Sequence, residues 1–128
     1  MTTVVDEKLK AYKANQEEIQ ALFVQKQQAL SQFNENTLVK GEMDLLDDTS
    51  KVYKLVGPVL MTVELEESKG NVAKRLEFIE TEIKKIDSAI AEKQGEQATL
   101  GDEIAAAQKA MQAEAASAAQ QIAGGASA

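Results

Sequence analysis

The sequence predicts a mainly α-helical fold, in which two long antiparallel helices form a coiled coil and one central β-hairpin joins a β-barrel shared between subunits. Two long segments repeat apolar residues at alternating steps of three and four, which is the period of coiled-coil helices. Between them lies VYKLVGPVLMTVEL (residues 52–65), an apolar stretch with a Gly-Pro turn signal in its middle. Aromatic residues make up 4% and charged residues 27% of the 128 residues, which suits exposed helices better than a thick globular core.

We expect a single domain that spans residues 1–128. Helix 1 is predicted over about residues 6–46, and the hairpin over about residues 51–65. Helix 2 is predicted over about residues 66–118, and a disordered tail over about residues 119–128.

Helix 1 carries its apolar repeat on one stripe, which we call the seam. The steps between seam positions alternate between four and three residues, a spacing that keeps the stripe turned toward a partner helix. Most seam positions are apolar. Lys26 is the exception for which the sequence offers no partner, although its stem can pack while its ammonium group reaches water. The predicted seam consists of Val5, Leu9, Tyr12, Gln16, Ile19, Phe23, Lys26, Leu30, Phe33 and Thr37.

The central stretch predicts a hairpin closed by a two-residue turn at Gly57 and Pro58. Glycine can adopt the positive φ that opens a type II′ turn, and proline suits the next position. This turn fixes the pairing of every residue in the two strands, and the charge match at the open end supports it. The predicted pairs are Val56 with Val59, Leu55 with Leu60, Lys54 with Met61, Tyr53 with Thr62, Val52 with Val63, and Lys51 with Glu64.

The hairpin carries apolar residues on both faces, whereas a hairpin that only covered the adjacent coil would need one apolar face. An isolated hairpin with two unpaired edges is marginally stable in water. Burying roughly nine apolar side chains at about 1.5–3 kcal/mol each is enough to drive chains together, so we favour a sheet formed between chains. The predicted assembly residues are Val52, Tyr53, Leu55, Val56, Gly57, Pro58, Val59, Leu60, Met61, Val63 and Leu65.

Helix 2 repeats the same spacing, and a short connection makes it the antiparallel neighbour of helix 1. The pairing that sets Thr37 beside Val72 brings apolar seam residues together. It also clusters polar ones, because Gln16 then meets Lys93, whereas a shift of one heptad would bury amides against apolar partners. The predicted seam of helix 2 consists of Val72, Leu76, Ile79, Ile83, Ile86, Ile90, Lys93, Gln97, Leu100, Ile104, Ala107 and Met111.

The tail beyond Ile104 is rich in Ala, Gln, Gly and Ser and ends in AGGASA, which lacks the bulk to fill a core. We expect it to fray, because helix 1 offers it no partner. Met111 and Ile122 would then lie on a partly ordered amphipathic overhang or on an exposed apolar surface.

Composition excludes several classes of function. The chain has no Cys and no His, which removes disulfides, thiolate nucleophiles, imidazole bases and the common zinc ligand sets. There is no P-loop motif, and adjacent acidic pairs such as Glu17 and Glu18 are typical of solvated faces, so we expect neither catalysis nor a cofactor or metal. A net charge of -7 works against binding to nucleic acid or anionic membranes. Without a visible signal peptide or membrane span, we expect a soluble cytoplasmic protein whose partners are proteins.

Two strings carry a family resemblance: VYKLVGPVL in the predicted hairpin and VAKRLEFIETEIKKID at residues 72–87. Both closely resemble the β-class subunits of prefoldin. The resemblance covers nearly the whole chain, is strongest from Leu45 to Ile86, and fits nothing specific beyond Ile104. Its order of helix, hairpin and helix agrees with the β class, whereas α-class subunits carry two hairpins.

The resemblance implies a subunit of a hexameric, ATP-independent co-chaperone, with two α-class and three further β-class subunits as partners. In that family the hairpins form a double β-barrel platform. The tips of its coiled coils capture unfolded proteins, notably actin and tubulin, and hand them to the cytosolic group II chaperonin. Carried over to this chain, the resemblance puts the assembly element at residues 52–65 and the tip where the termini meet. The implied client-binding residues are Val4, Val5, Leu9, Leu100 and Ile104, although closing the last coil layers is the plainer role for three of them: Leu9, Leu100 and Ile104.

Three alternatives stay open. A scaffold or tethering coiled coil explains both helices but gives no reason for a two-faced apolar hairpin between them. An enzyme fits less well, because the usual catalytic side chains are missing. A periplasmic tentacle chaperone would normally carry a cleavable signal.

Overall fold

The computed structural model describes residues 2–47 and 49–126, which form two long helices and one antiparallel hairpin. The elements are α1 (Thr2–Asp44), β1 (Val52–Val56), β2 (Val59–Val63) and α2 (Leu65–Ala126). The predicted mainly α-helical fold with one central hairpin is confirmed.

α1 begins at Thr2 and ends at Asp44, close to the bounds expected from the sequence. Its end tightens into a last turn, in which the N–H of Leu45 donates to the carbonyl of Glu42 at 3.2 Å. Such bonds over three residues satisfy carbonyl groups that the end of a helix leaves without a partner.

Asp47 organises the connection that leads from α1 to β1. Its Oδ1 accepts hydrogen bonds from the N–H of Thr49, at 2.9 Å, and from the Thr49 hydroxyl, which makes a compact turn. These bonds favour the ionised carboxylate, so they hold the pKa of Asp47 below its ordinary value, and the Thr49 hydroxyl is the largest cause.

The hairpin has the predicted turn and register. Gly57 has a φ of +58°, as the first central residue of a type II′ turn requires, and Pro58 follows it. The observed pairs are Val52 with Val63, Tyr53 with Thr62, Lys54 with Met61, Leu55 with Leu60, and Val56 with Val59. The predicted Lys51–Glu64 pair lies outside the strands and is not among the ion pairs of the described residues.

α2 is longer than predicted. Glu66 and Glu67 lie in its first turn, where negative charge is favourable beside the exposed N–H groups. The helix continues to Ala126, so the prediction of a disordered tail over residues 119–128 is wrong as far as the described residues go; Ser127 and Ala128 lie outside them. Alanine has the highest helix propensity, and the tail is rich in it, so the segment is helical although residues 112–125 are exposed.

Packing divides the chain into two units, each with its own apolar core. The first unit combines residues up to Leu22 with residues from Ala89 onward, and the second is Phe23–Ser88. The buried apolar residues are Val5, Ile19, Ile90 and Ile104 in the first unit, and Val72 and Ile79 in the second. Both cores are thin, since no large side chain in the described part of the chain is fully buried.

All twelve predicted seam positions of α2 are buried or half-buried, from Val72 to Met111. The stripe also continues one turn toward the start of the helix, where Ser68 is buried. Isoleucines at regular spacing therefore located the inner face of this helix correctly.

The predicted seam of α1 is wrong at four of its ten positions, whereas Leu30 is half-buried as predicted. Leu9, Gln16, Phe23 and Thr37 are exposed, and the positions one residue earlier, Lys8, Asn15, Leu22 and Asn36, are buried or half-buried instead. Positions such as Val5, Tyr12 and Ile19 belong to both the predicted and the observed inner stripe of α1. Between them the observed stripe steps by three residues and then by four, whereas the predicted seam steps by four and then by three. The apolar side chains of Leu9 and Phe23 suggested the wrong order, because they lie on the flank of the contact rather than inside it.

Candidate functional site

The hairpin exposes large apolar side chains on both faces. Leu55 and Leu60 on one face are 67% and 65% exposed, and Val59 on the other face is 57% exposed. Val52 and Val63, at the open end of the hairpin, are half-buried. Most of the predicted assembly residues therefore lie where another chain can reach them.

Both edges of the hairpin are open, because β1 and β2 form a two-stranded sheet in the described chain. A two-residue turn makes Val56 and Val59 a hydrogen-bonded pair, and such pairs alternate along an antiparallel ladder. The backbone groups that point away from the ladder belong to Tyr53, Leu55, Leu60 and Thr62. Unpaired edges of this kind are templates for pairing with another strand.

A groove open to solvent lies in the second unit, between the hairpin and the first turns of α2. Among the described residues that line it, Lys54 and Arg75 are the charged ones, and we call it the cation groove. The full lining is Met43, Val52, Tyr53, Lys54, Val63, Ser68, Asn71, Val72 and Arg75. Neither cation is in an ion pair with a described residue.

The five residues expected at the tip all belong to the first unit, and they differ in exposure. Val4 and Leu9 are 47% and 44% exposed, whereas Val5 and Ile104 are buried and Leu100 is half-buried. The two buried residues therefore close the packing between the helices, and the exposed two are available to other molecules.

An ion pair crosses between the helices beside these residues. Lys8 Nζ lies 2.9 Å from Glu103 Oε2. Lys8 is half-buried, so its stem covers the apolar contact while its charge stays near water.

A polar layer interrupts the apolar core of the first unit. The side-chain amide of Asn15 donates to the backbone carbonyl of Lys93 at 2.8 Å, and Lys93 Nζ lies 2.7 Å from Glu18 and 3.5 Å from Glu96. The hydrogen bond to Glu18 is the largest cause of a raised pKa for Lys93. Lys93 thus lies beside the helical turn of α1 that contains its predicted partner Gln16. The buried residue that contacts it is Asn15, one position earlier.

Asn15 Oδ1 is buried and has no hydrogen-bond partner among the described residues. Asn15 is absent from the predicted seam because its neighbour Gln16 fits the predicted order of steps. The available signal was its spacing of three from Tyr12 and four from Ile19, which is the spacing of an inner position.

The structure supplies the partner of Lys26 that the sequence did not. Lys26 Nζ lies 2.7 Å from Asp87 Oδ1 within the second unit. The lysine reaches out of the half-buried stripe to a carboxylate on its flank, as its long stem allows.

Further apolar side chains are exposed outside the predicted sites. Ile122, for which an exposed apolar surface is one of the two predictions, is 74% exposed. Leu38 and Phe78, which belong to no predicted site, are 71% and 66% exposed. Exposed apolar residues that occur singly are common on protein surfaces, so none of these defines a site alone.

Within residues 2–47 and 49–126, His, Cys, Asp and Glu form no group of three or more that could hold a metal ion. Neither long helix has, in its described residues, an apolar segment sufficient to cross a membrane.

Comparison with known proteins points to one family. A sequence model of the family described as "Prefoldin subunit" matches residues 6–111. The chain is similar to the "Probable prefoldin subunit 6" of Caenorhabditis briggsae, with 39% identity over 118 residues and 92% of each chain covered. It is also similar to the "Prefoldin subunit 6" of Saccharomyces cerevisiae, with 42% identity over 93 residues that cover 73% of this chain and 82% of that one.

The human protein named "Prefoldin subunit 6" is 37% identical over 103 residues, which cover 76% of this chain and 80% of that one. Among solved structures, the prefoldin beta subunit from Thermococcus strain KS-1 has a TM-score of 0.75 and 20% sequence identity. That likeness covers 80% of this chain and 90% of the archaeal one, and it shows the same fold.

Proposed function

The chain belongs to the prefoldin subunit family, whose members are co-chaperone subunits, and we propose that it captures unfolded proteins without ATP and delivers them to the cytosolic group II chaperonin. The proposed clients are of the actin and tubulin class, and the proposed compartment is the cytoplasm. The observation that carries the proposal is an apolar, two-edged hairpin exposed on a subunit whose family forms hetero-oligomers.

We propose that the hairpin is the assembly element, and that a hexamer of two α-class and four β-class subunits buries it in a shared β-barrel. Two features support this: apolar side chains on both faces and outward-pointing backbone groups on both edges. Closing several hairpins into a barrel would pair every edge and cover the apolar residues. The whole chain, residues 1–128, would act as a single β-type domain in that assembly.

We propose that clients bind at Val4, Val5, Leu9, Leu100 and Ile104. The exposed residues Val4 and Leu9 would make the first contacts, and local opening of the first unit would uncover the buried ones. Each contact would be weak and several subunits would act together, so that clients can leave without ATP hydrolysis. Such a role needs neither a cofactor nor a catalytic site.

The test of capture is suppression of client aggregation by the assembled complex without ATP. We expect Leu9→Asp to weaken suppression, because a charge at an exposed contact residue repels apolar client segments. Leu38→Asp is the matched control, since Leu38 is an exposed apolar residue of the same helix outside the proposed site. Equal suppression by both variants and by the unmodified complex would contradict the proposed client site.

The test of assembly is hydrogen exchange at the hairpin. Amides that point out from the ladder, at Leu55 and Leu60, should exchange fast in the isolated chain and slowly in the complex. The amides of Lys54 and Met61 point into the ladder and should change less. If the outward amides exchange equally fast in the complex, the hairpin edges are not the assembly site.

A further inference from the structure

Lys54 is the one charged residue on an otherwise apolar face of the hairpin. The face consists of Val52, Lys54 and Val56 on β1 and of Val59, Met61 and Val63 on β2. A charge that is covered by another chain must be paired there, because removing an unpaired charge from water is costly. A chain that covers this face must therefore supply a partner for the ammonium group of Lys54.

No carboxylate lines the described part of the groove beside Lys54. The described lining of the cation groove contains Lys54 and Arg75 and no acidic residue, although the chain as a whole carries a net charge of -7. The described residues form ion pairs elsewhere, for example between Lys26 and Asp87, but not with these two cations. An acidic side chain from outside would complete the groove.

Lys54 also lies at the centre of the open β1 edge. If two copies of this chain paired antiparallel through β1 in full overlap, Lys54 would lie opposite Lys54 of the other copy. The outward hydrogen bonds belong to Tyr53 and Leu55, so the central pair would be a non-hydrogen-bonded one, with Cα atoms only about 4.5 Å apart. Like charges directly opposite each other destabilise a sheet.

The β2 edge carries no such obstacle. Its centre is Met61, and self-pairing in full overlap would set Met61 against Met61. The two edges of the hairpin are therefore unequal, since only β1 resists a second copy. Charged residues on edge strands commonly serve to prevent unwanted pairing.

We propose that the cation groove receives an Asp or Glu side chain from a different prefoldin subunit that pairs along β1, and that Lys54 determines which subunit can pair there. The residue opposite Lys54 on the neighbouring strand projects from the same face, so its carboxylate reaches both Lys54 and the groove. A second copy of this chain brings a lysine to that place and is excluded. The inference rests on the proposed assembly through the hairpin.

The experiment compares Lys54→Met and Lys54→Glu with the unmodified chain, alone and mixed with the other subunits of its complex. Mass by light scattering at low and high salt reports assembly. Lys84→Met is the matched control, because it removes the same charge from the exposed surface of α2. Circular dichroism verifies that each variant keeps its helices.

We expect Lys54→Met to increase self-association of the isolated chain at least about tenfold, and Lys54→Glu to weaken incorporation into the mixed complex by a similar factor. Incorporation of the unmodified chain should weaken with salt more than that of Lys54→Met, as expected for an ion pair. Lys84→Met should behave as the unmodified chain.

Leu60→Asp separates this inference from the assembly proposal. If Leu60→Asp abolishes incorporation while both Lys54 variants assemble normally, the role of Lys54 is wrong and assembly through the hairpin stands. If Leu60→Asp also assembles normally, assembly through the hairpin itself fails.

Discussion

Asn15 is the most completely buried polar residue in the described part of the chain, at 6% exposure. Its amide group donates to the Lys93 carbonyl, but its Oδ1 accepts no hydrogen bond from the part of the chain that the structure describes. An unsatisfied buried acceptor costs free energy that an apolar side chain would not. The residue thus weakens the helix contact of the first unit at the layer where it lies.

Replacing Asn15 by Leu should raise the free energy of unfolding by about 1–2 kcal/mol, because it removes the unsatisfied oxygen and adds apolar burial. Gln16→Leu is the matched control and should change it by less than about 0.5 kcal/mol, since Gln16 is exposed. Urea unfolding measures both. If Gln16→Leu changes the free energy of unfolding more than Asn15→Leu does, Gln16 is the inner residue, as the sequence predicts.

The same variant tests the proposed opening of the first unit. If clients bind when the helices separate locally, Asn15→Leu should slow capture of a denatured protein, whereas Gln16→Leu should not. Capture at the normal rate by a measurably stabilised Asn15→Leu variant would argue against opening.

The carboxylate of Asp47 gives a pH-dependent contribution to the turn before β1. Its folded pKa lies below the ordinary value, so the stabilisation is complete above the ordinary pKa and is lost as the pH falls through the lowered one. Thr49→Val removes the hydroxyl donor and should move the Asp47 pKa upward, toward its ordinary value. NMR titration of the carboxyl group measures the shift, and an unchanged pKa would mean that the hydroxyl bond does not form in solution.

Sequence patterns resolved some residues of the core and missed others for a definable reason. In α2 the regularly spaced isoleucines predict the inner stripe correctly. In α1 apolar residues also lie beside the helix contact. Leu9 and Phe23 therefore favoured a predicted seam that leaves out the inner positions Lys8 and Asn15. Polar residues at inner positions carry no hydrophobic signal, and only their partners in space identify them.

At the scale of elements, the hairpin turn depends on one glycine. The φ of +58° at Gly57 lies in the left-handed region, which costs other residues about 1–2 kcal/mol. The hairpin was predictable in full, because a two-residue Gly-Pro turn leaves one register that keeps all five strand pairs.

Gly57→Ala should therefore depopulate the hairpin, measured as weaker cross-strand Hα–Hα NOEs between Leu55 and Leu60. Gly95→Ala is a control of opposite sign, because Gly95 lies in open space within α2, where alanine should stabilise by about 0.5–1 kcal/mol. Undiminished NOEs in Gly57→Ala would show that the turn tolerates a side chain.

The end of α2 shows the limit of arguing order from packing alone. The tail is predicted to be disordered because it lacks the bulk to fill a core, and residues 112–125 are indeed exposed. Local propensity nevertheless keeps it helical. The composition therefore predicted the exposure of this segment correctly. The predicted disorder is wrong for its described residues, which are helical.

At the scale of the whole molecule, the chain leaves much of its apolar surface uncovered. The largest exposed set belongs to the hairpin, and the thin cores of both units contain only six buried apolar residues between them in the described chain. The sequence revealed that need for partners through the two apolar faces of the hairpin. It could not reveal which neighbours cover them, because that depends on the surfaces of other chains.

The separation along the chain of residues that touch in space sets an order of folding. Lys8 and Glu103 are 95 residues apart, and Asn15 and Lys93 are 78 apart, whereas the hairpin closes over two residues. Contacts between distant residues form late unless nearer ones have already shortened the loop between them. Folding should therefore start in the second unit and reach the first unit last.

Kinetics can test this order with two conservative variants of buried isoleucines. Ile79→Val in the second unit should mainly slow folding, whereas Ile104→Val in the first unit should mainly speed unfolding. Stopped-flow refolding and unfolding in urea separate the two rates, and the reverse assignment would refute the order. A chain built this way completes its proposed client-binding end only after its assembly element has formed.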